Sequence, residues 1–246
     1  MTSITKLLLL AVTWLSCIAT VQASVVISNT RIIFPAEQGE ATIGLENKAK
    51  NPTLVQAWLD DGDSKATPET IQVPFIVTPA IARIEGGKGQ TVRLLHNGTK
   101  MAQDRETLYW FNLLEVPPKA EGENYLQFAF RSRIKVLYRP AKLPGHVNES
   151  ANAINWTLVR SNDKWTLKAD NPTAYFVNIG HIEIDSNGHK LAFGSGHIAP
   201  FASETFSASE QLKTPPTSPI KVNFTSINDH GAGEDNAATA VYSKPL

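Results

Sequence analysis

The residue types that most often perform catalysis or bind metal ions are scattered along this sequence. The six histidines include no pair separated by three residues around a glutamate, and without a cysteine cluster the sequence predicts no metal site. Ser195 stands close to His197 but lacks the glycine that a nucleophile elbow needs two residues earlier, so we expect a tight turn at residues 194–197. The sequence therefore predicts no catalytic residue, no metal and no cofactor, and the protein is not expected to be an enzyme.

Two segments have patterns that suit binding better than catalysis. In the first, Arg31 precedes a run of three large apolar residues. The second, residues 125–138, is a strand candidate of about fourteen residues, well beyond the usual length of roughly five or six. Within it Leu126, Phe128 and Phe130 alternate with polar or small residues. In an ordinary sandwich these side chains face the core of their own domain, whereas at a sheet edge they could contact a partner.

The elements that must position these residues are short strand-like runs separated by Asn, Gly, Pro and Asp. The first set comprises residues 25–34, 41–46, 54–59, 71–77, 91–95, 108–116 and 125–138. The second set comprises residues 154–159, 165–169, 175–184, 190–193, 204–206 and 220–227. No stretch shows a sustained helical period, so the pattern predicts an all-β sandwich or barrel, and seven runs are the number that an immunoglobulin-like sandwich needs. The proline-containing residues 139–145 separate two domains of about a hundred residues each.

The first 23 residues have the pattern of a signal peptide. Lys6 gives a positively charged start, residues 7–19 form an apolar run too short to span a bilayer, and small residues predict cleavage after Ala23. The one cysteine, Cys17, lies in this segment, so we expect no disulfide in the mature chain. The remaining 22 basic and 23 acidic residues give no bulk attraction to nucleic acid or to an anionic membrane. We therefore expect an exported protein whose mature chain does not insert into a membrane.

A series of motifs resembles the periplasmic pilus chaperones of the chaperone–usher pathway. They lie at residues 30–35 (Thr-Arg-Ile-Ile-Phe-Pro), 54–58, 78–79, 104–106, 110–118, 133–140, 171–173 and 227–232. Each motif is short, but their order and spacing together are specific and extend over nearly the whole mature chain. The resemblance implies two immunoglobulin-like β-sandwich domains in an L-shaped arrangement. It places the N-terminal domain at residues 24–140, the linker at 141–147 and the C-terminal domain at 148–246.

The resemblance also implies a function. Chaperones of this family bind, fold and protect pilus subunits in the periplasm and deliver them to an outer-membrane usher. Each subunit is an incomplete sandwich, and the chaperone lends it the last strand of its N-terminal domain. By position, the lent side chains are Leu126, Phe128 and Phe130. Arg31 and Lys135 match the two basic residues that bind the C-terminal carboxylate of the subunit.

Three further charged residues, Glu106, Arg139 and Asp229, match a network that sets the angle between the domains in this family. The short link at residues 118–125 resembles the short-loop branch of the family. The long-loop branch often carries a cysteine pair, which this chain lacks.

Leu54, Gln56 and Pro79 match positions that dock on the usher, although Ala80 replaces the proline that is usual there. Two rival functions remain open at the level of sequence. An exported adhesin or carbohydrate-binding sandwich would need a surface platform of aromatic side chains, and an exported hydrolase would need converging acid, base or nucleophile groups. Judged without the resemblance, Arg31 would most often be a solvated surface arginine.

The lent strand contains a geometric conflict. Strict alternation puts its three apolar side chains on one face and Lys135 on the other. Either the strand twists or bulges between Arg131 and Ile134, or its two functions use different faces. The sequence leaves both alternatives open.

Overall fold

The computed structural model describes residues 25–118, 127–161, 164–186, 189–209 and 219–243. Within these ranges the chain is built from β-strands and three short 3-10 turns, at Ala36–Gln38, Val147–Glu149 and Ala151–Ala153. No described helix has the length and apolar character needed to cross a lipid bilayer. The expected signal peptide and Leu126 lie outside the described residues.

The N-terminal domain is a sandwich of two sheets. Its strands are β1 (Val25–Ile27), β2 (Arg31–Pro35), β3 (Glu40–Asn47), β4 (Thr53–Asp60), β5 (Phe75–Thr78), β6 (Ile81–Ile84), β7 (Gly89–His96), β8 (Thr107–Val116) and β9 (Phe130–Arg139). One sheet has the order β1-β3-β7-β5 and the other β2-β9-β8-β4-β6. Alternate residues such as Val55, Leu59, Phe111 and Tyr138 fill the core between the sheets. The residues between them in sequence face outward, and they build the site described below.

The C-terminal domain contains β10 (Asn155–Ser161), β11 (Lys164–Asp170), β12 (Val177–Ser186), β13 (His189–Ile198), β14 (Ser203–Ser207), β15 (Ile220–Ile227) and β16 (Gly233–Ser243). They hydrogen-bond in the order β13-β12-β15-β16-β10-β11-β14. The two edge strands, β13 and β14, lie close to each other. A methyl group added to Gly196 of β13 would lie 3.1 Å from the Phe206 ring of β14. The enclosed core includes Trp156, Trp165 and Phe224.

The strand β2 joins the second sheet of the N-terminal domain by pairing in parallel with the end of β9. The register runs from Arg31 opposite Lys135 to Pro35 opposite Arg139. On its other side β9 pairs with β8 along its whole length, from Phe130 to Tyr138. The first half of β9 therefore extends beyond the start of β2.

The predicted all-β class with two immunoglobulin-like domains is confirmed, but several strand predictions are wrong. The run at residues 25–34 is two strands, because the chain passes from the first sheet to the second between β1 and β2. The pattern misses β6, which has only four residues, and β16, whose side chains are mostly exposed and small or polar. The turn expected at residues 194–197 is also wrong: it is part of β13, where Gly194 has a positive φ and the pairing with β12 shifts register.

The strand predicted at residues 125–138 is shorter than expected. Residues 127–129 lie outside β9, which begins at Phe130. A ladder cannot continue there, because β8 ends at Val116 and is followed by Pro117 and Pro118, which have no N–H to donate. The pairing of β9 with β8 is unbroken, so the strand does not bulge between residues 131 and 134. Phe130 and Lys135 thus lie on opposite faces of β9.

Candidate binding site between the two domains

Arg31 and Lys135 lie side by side on the outer face of the second sheet. They occupy matching positions of the parallel β2–β9 ladder, and their neighbours Ile32 and Val136 point into the core. Both cations are partly buried, because the C-terminal domain packs over this part of the sheet. The register of one strand pair therefore brings together two positive charges that are far apart in sequence.

Neutral groups of the second domain accept hydrogen bonds from both cations. Arg31 Nη1 donates a hydrogen bond to the carbonyl oxygen of Ile227 at 3.0 Å, and Lys135 Nζ donates one to Asn178 Oδ1 at 2.6 Å. Arg31 Nε is buried without a hydrogen-bond partner among the described residues. Lys135 Nζ also lies 5.6 Å from the centre of the Trp110 ring. Within the described part of the chain, neither cation forms a salt bridge.

The other cations of β9 are all paired with buried acids. Arg133 forms a salt bridge with Asp60, and Arg131 Nη2 lies 3.7 Å from the same carboxylate. Arg139 binds Glu106 and Asp229. Geometry alone, without any resemblance, therefore distinguishes the adjacent pair on β2 and β9 as positive charges that lack a negative partner among the described residues.

Burial and mutual repulsion make this pair electrostatically costly. Burial, followed by the charge of Arg31, lowers the pKa of Lys135 to about 8. Burial also lowers the pKa of Arg31, against the opposing effect of Asp229. An anion with two oxygens would relieve both effects, because it would supply charge-assisted hydrogen bonds to a guanidinium and an ammonium group at once. The site is thus suited to binding a carboxylate.

The second domain also forms an aromatic wall beside the cations. His197 lies directly across the β12–β13 ladder from Asn178. Its ring centre is 6.4 Å from that of Trp110 and 5.8 Å from that of Phe176. Burial, followed by the charge of Lys135, lowers the pKa of His197, so the imidazole is neutral at neutral pH. Local sequence patterns give no sign of this wall, because it forms only when the domains pack together.

Glu106, Arg139 and Asp229 meet at the boundary between the domains. Arg139 donates from Nε to Glu106 Oε1 at 2.5 Å, and from Nη1 and Nη2 to the two oxygens of Asp229 at 2.6 and 2.8 Å. The second oxygen of Glu106 accepts the backbone N–H of Phe176 at 2.7 Å. Burial opposes the charge of Arg139, but the bonds to Asp229 and the charge of Glu106 outweigh it and raise the Arg139 pKa. One guanidinium thus bridges a carboxylate from each domain.

The apolar residues of the candidate lent strand are exposed where the structure describes them. Phe128 is 58% exposed and Phe130 is 44% exposed, whereas Val136 and Tyr138, farther along the same face of β9, belong to the core. The apolar face of β9 is therefore open to solvent at its start and buried at its end. Leu126, the third predicted member, lies outside the described residues.

The residues predicted to dock on the usher lie near the opposite edge of the same sheet, on or next to β4 and β6. Leu54 is exposed, and Gln56 is paired across the ladder with Ile81 of β6. Pro79 follows a cis peptide bond in the turn that leads into β6. The structure adds the exposed Ile81, which sequence reasoning missed together with its strand.

Together the fold and the site define a two-domain, immunoglobulin-like binding protein. The family model described as the pili and flagellar-assembly chaperone, PapD N-terminal domain, matches residues 24–144. The model for the pili assembly chaperone PapD, C-terminal domain, matches residues 149–238. The chain therefore belongs to the family of PapD-like pilus-assembly chaperones, which confirms the resemblance in the sequence.

Individual relatives agree with this assignment. The probable fimbrial chaperone YadV of Escherichia coli strain K12 is 41% identical over 222 residues, which cover 87% of this chain and 89% of YadV. The chaperone protein FimB/FhaD of Bordetella pertussis is 39% identical over 217 residues, 85% of each chain. The crystal structure of YadV has a TM-score of 0.77 at 38% identity and covers 88% of this chain and 100% of that one. The structure of the Salmonella enterica SafA pilin in complex with the SafB chaperone has a TM-score of 0.72 at 26% identity, over 90% of this chain and 98% of the matched chain.

The geometry at Arg139 predicts a specific effect of removing its side chain. Arg139→Ala leaves the buried Glu106 without its cation, which costs about 3 kcal/mol at the contact between the domains. Both domains should stay folded while their relative orientation loosens, and small-angle X-ray scattering should show a broader distribution of intramolecular distances. Arg93→Ala, which removes only an exposed ion pair with Glu40, is the control and should leave the profile unchanged. Superimposable profiles for Arg139→Ala and the parent would contradict a structural role.

Proposed function

We propose that this chaperone captures pilus subunits by their C-terminal carboxylate at Arg31 and Lys135 and completes their fold with the start of β9. The observation that carries the proposal is the pair of partly buried cations at the start of the β2–β9 ladder. This pair has no acidic partner among the described residues, whereas the other cations of β9 do. The structure of the SafA pilin in complex with the SafB chaperone supports it, since a chaperone in that structure binds a pilin.

The open edge of β9 determines how a partner strand can bind. From Phe130 to Ile134, β9 has β8 on one side, and no described strand pairs with its other side. An incoming strand at this edge lies in line with β2. If it runs parallel to β9, its C-terminal carboxylate meets Arg31 and Lys135. An antiparallel strand would place its C-terminal carboxylate at the far end of the open edge, away from both cations, so charge selects the parallel orientation.

The apolar side chains at the start of β9 and just before it supply the binding energy. Filling grooves of the subunit with Phe128 and Phe130 contributes roughly 1.5–3 kcal/mol for each fully buried side chain, before the cost of ordering. The carboxylate fixes the register, because a chain has one C-terminus and a slip of one residue would turn every apolar side chain to the wrong face. Arg31 and Lys135, together called the clamp below, thus determine the position of the bound strand, and the apolar side chains determine its affinity.

The remaining parts of the proposal follow from family membership. Residues 1–23 would direct export to the periplasm and be removed after Ala23, and residues 24–140 and 148–246 would form the two domains. Leu54, Gln56 and Pro79, extended by Ile81, would dock on the outer-membrane usher, and the connection after Pro118 would place the protein in the short-loop branch. Its role would be binding without catalysis.

Removal of either clamp cation should strongly weaken subunit capture. Arg31→Ala and Lys135→Ala each remove charge-assisted bonds of about 1.5–3 kcal/mol, which corresponds to a loss of affinity of roughly 10- to 150-fold. The probe is a labelled peptide of alternating apolar and polar residues that ends in a free carboxylate, with its C-terminal amide as the reference. Arg83→Ala and Lys190→Ala, which remove exposed cations, are matched controls. If both clamp variants keep the parent's preference for the free carboxylate, Arg31 and Lys135 do not bind that group and the assignment is wrong.

The Lys135 pKa of about 8 predicts opposite pH trends for binding and stability. As the pH rises from 7 to about 10, the free ammonium loses its proton and affinity for the carboxylate peptide should fall. Over the same range the free energy of unfolding should rise, because the unfolded chain retains the lysine proton longer than the folded chain. Lys135→Met should remove both trends when peptide titrations and urea unfolding are repeated at each pH. Parallel trends in parent and variant would mean that another group titrates.

Phe128→Glu separates a donor side chain from a core side chain. Because Phe128 is largely exposed, the free protein should lose no more than about 0.5 kcal/mol of stability, while binding should weaken strongly as a charge enters an apolar groove. Phe111→Ala, in the buried core, should cost about 3–5 kcal/mol and serves as the contrast. Denaturant titration of the free variants gives the answer. A collapse of stability in Phe128→Glu would show that this side chain belongs to the core of the chaperone itself.

A further inference from the structure

A fully buried carboxylate, Asp60, lies beneath the outer face of the sheet next to the clamp. It is at the end of β4, directly across the ladder from Trp110, which in turn is opposite Lys135. Its oxygens accept hydrogen bonds from Asn112 Nδ2 at 2.7 Å, from Arg133 Nε at 3.0 Å and from the backbone N–H of Gly62 at 2.8 Å. The clamp and the core packing do not explain why an acid is buried at this position.

The acid holds two arginines of β9 flat against the sheet. Arg133 forms the salt bridge and stacks 4.2 Å from the centre of the Trp110 ring. Arg131 donates to Asn112 Oδ1 at 2.7 and 3.0 Å and to the carbonyl of Ser64 at 2.7 Å. Its guanidinium also lies 4.8 Å from the centre of the Trp58 ring. Every outward side chain of β9 between Phe130 and Lys135 is thus tied to β4 or β8.

Burial alone would raise the pKa of Asp60, but hydrogen bonds from Arg133 and Asn112 outweigh it and hold that pKa below its usual value. The carboxylate is therefore charged throughout the neutral range. Arg131 and Arg133 are thus engaged with groups of β4 and β8, whereas Lys135 is not.

This network lies where β9 most needs support. Among the described strands, β9 has a ladder partner on one side only from Phe130 to Ile134, and the aromatic side chain of Phe130 at its start is exposed. A strand with such limited contacts is expected to fray unless side chains hold it. Any fraying would add an ordering cost to the binding of a partner.

From this arrangement we infer that Asp60 is a positioning residue for the lent strand: through Arg133 and Arg131 it holds the first half of β9 extended on the sheet before a subunit arrives. The inference rests on the proposed function, since a strand held in readiness matters only if it is lent. It assigns to the buried acid a role in affinity without any contact to the partner.

The test compares Asp60→Asn, which preserves shape and removes charge, with Glu40→Gln, which removes the charge of an exposed ion pair on another strand. Arg133→Lys is a second variant that keeps the positive charge and loses the paired geometry, and it replaces Asp60→Asn if that protein does not fold. Hydrogen exchange is followed at the backbone amides of residues 130–134 and, as an internal reference, of residues 136–138. Binding is measured with the free-carboxylate peptide and its C-terminal amide.

The expected result is exchange at least about tenfold faster in residues 130–134, with residues 136–138 unchanged, and about tenfold weaker binding of both peptides. The ratio of affinities for the carboxylate and amide forms should stay at the parent value, because the clamp is intact. Clamp variants should show the reverse pattern: they should bind the carboxylate and amide peptides equally, while hydrogen exchange in residues 130–134 stays at the parent rate. Suppose that exchange and affinity in Asp60→Asn and Arg133→Lys match the parent, while Arg31→Ala still removes the preference for the carboxylate peptide over the amide peptide. This inference is then wrong and the proposed function stands. If the ratio is insensitive to Arg31→Ala as well, the proposed function itself fails.

Discussion

The guanidinium of Arg139 binds Glu106 of its own domain and Asp229 of the other. Because one planar cation holds both carboxylates at hydrogen-bond distance, the domains meet at a defined separation. That separation brings a backbone carbonyl and an amide side chain of the second domain against Arg31 and Lys135. Without it, these two cations would be hydrated side chains on the face of one sheet, where an ion pair with a ligand contributes little.

Pairing, more than the number of charges, defines the site. β9 carries four cations, and buried acids engage three of them: Arg131, Arg133 and Arg139. Lys135 is left with an amide for a partner and a second cation beside it. The protein therefore keeps positive potential at one point of the strand while neutralising the rest, and under the proposed function this would direct a carboxylate to one position along an otherwise repetitive ladder.

The sequence predicts the fold class and the family correctly because strand alternation and ordered motifs are local signals. It also names Arg31 and Lys135, but the parallel register that places them together depends on tertiary pairing. Asn178 and Asp60 have no local signal at all, since an asparagine and an aspartate in strands look like surface residues until the domains and side chains pack over them. The length of β9 is mispredicted because its own alternation continues past Phe130, whereas the ladder is limited by the prolines that follow its neighbour.

The contacts that complete the cation pair are remote along the chain, and this governs the order in which the protein is assembled. Arg31 and the carbonyl of Ile227 are separated by 196 positions, and Arg139 and Asp229 by 90. Contacts over such distances close late in folding, after the local hairpins have formed. A newly folding chain can therefore form the β8–β9 pairing before the second domain has folded against it. The environment of Arg31 and Lys135 is the last part of the protein to be completed, and it belongs only to the fully folded molecule.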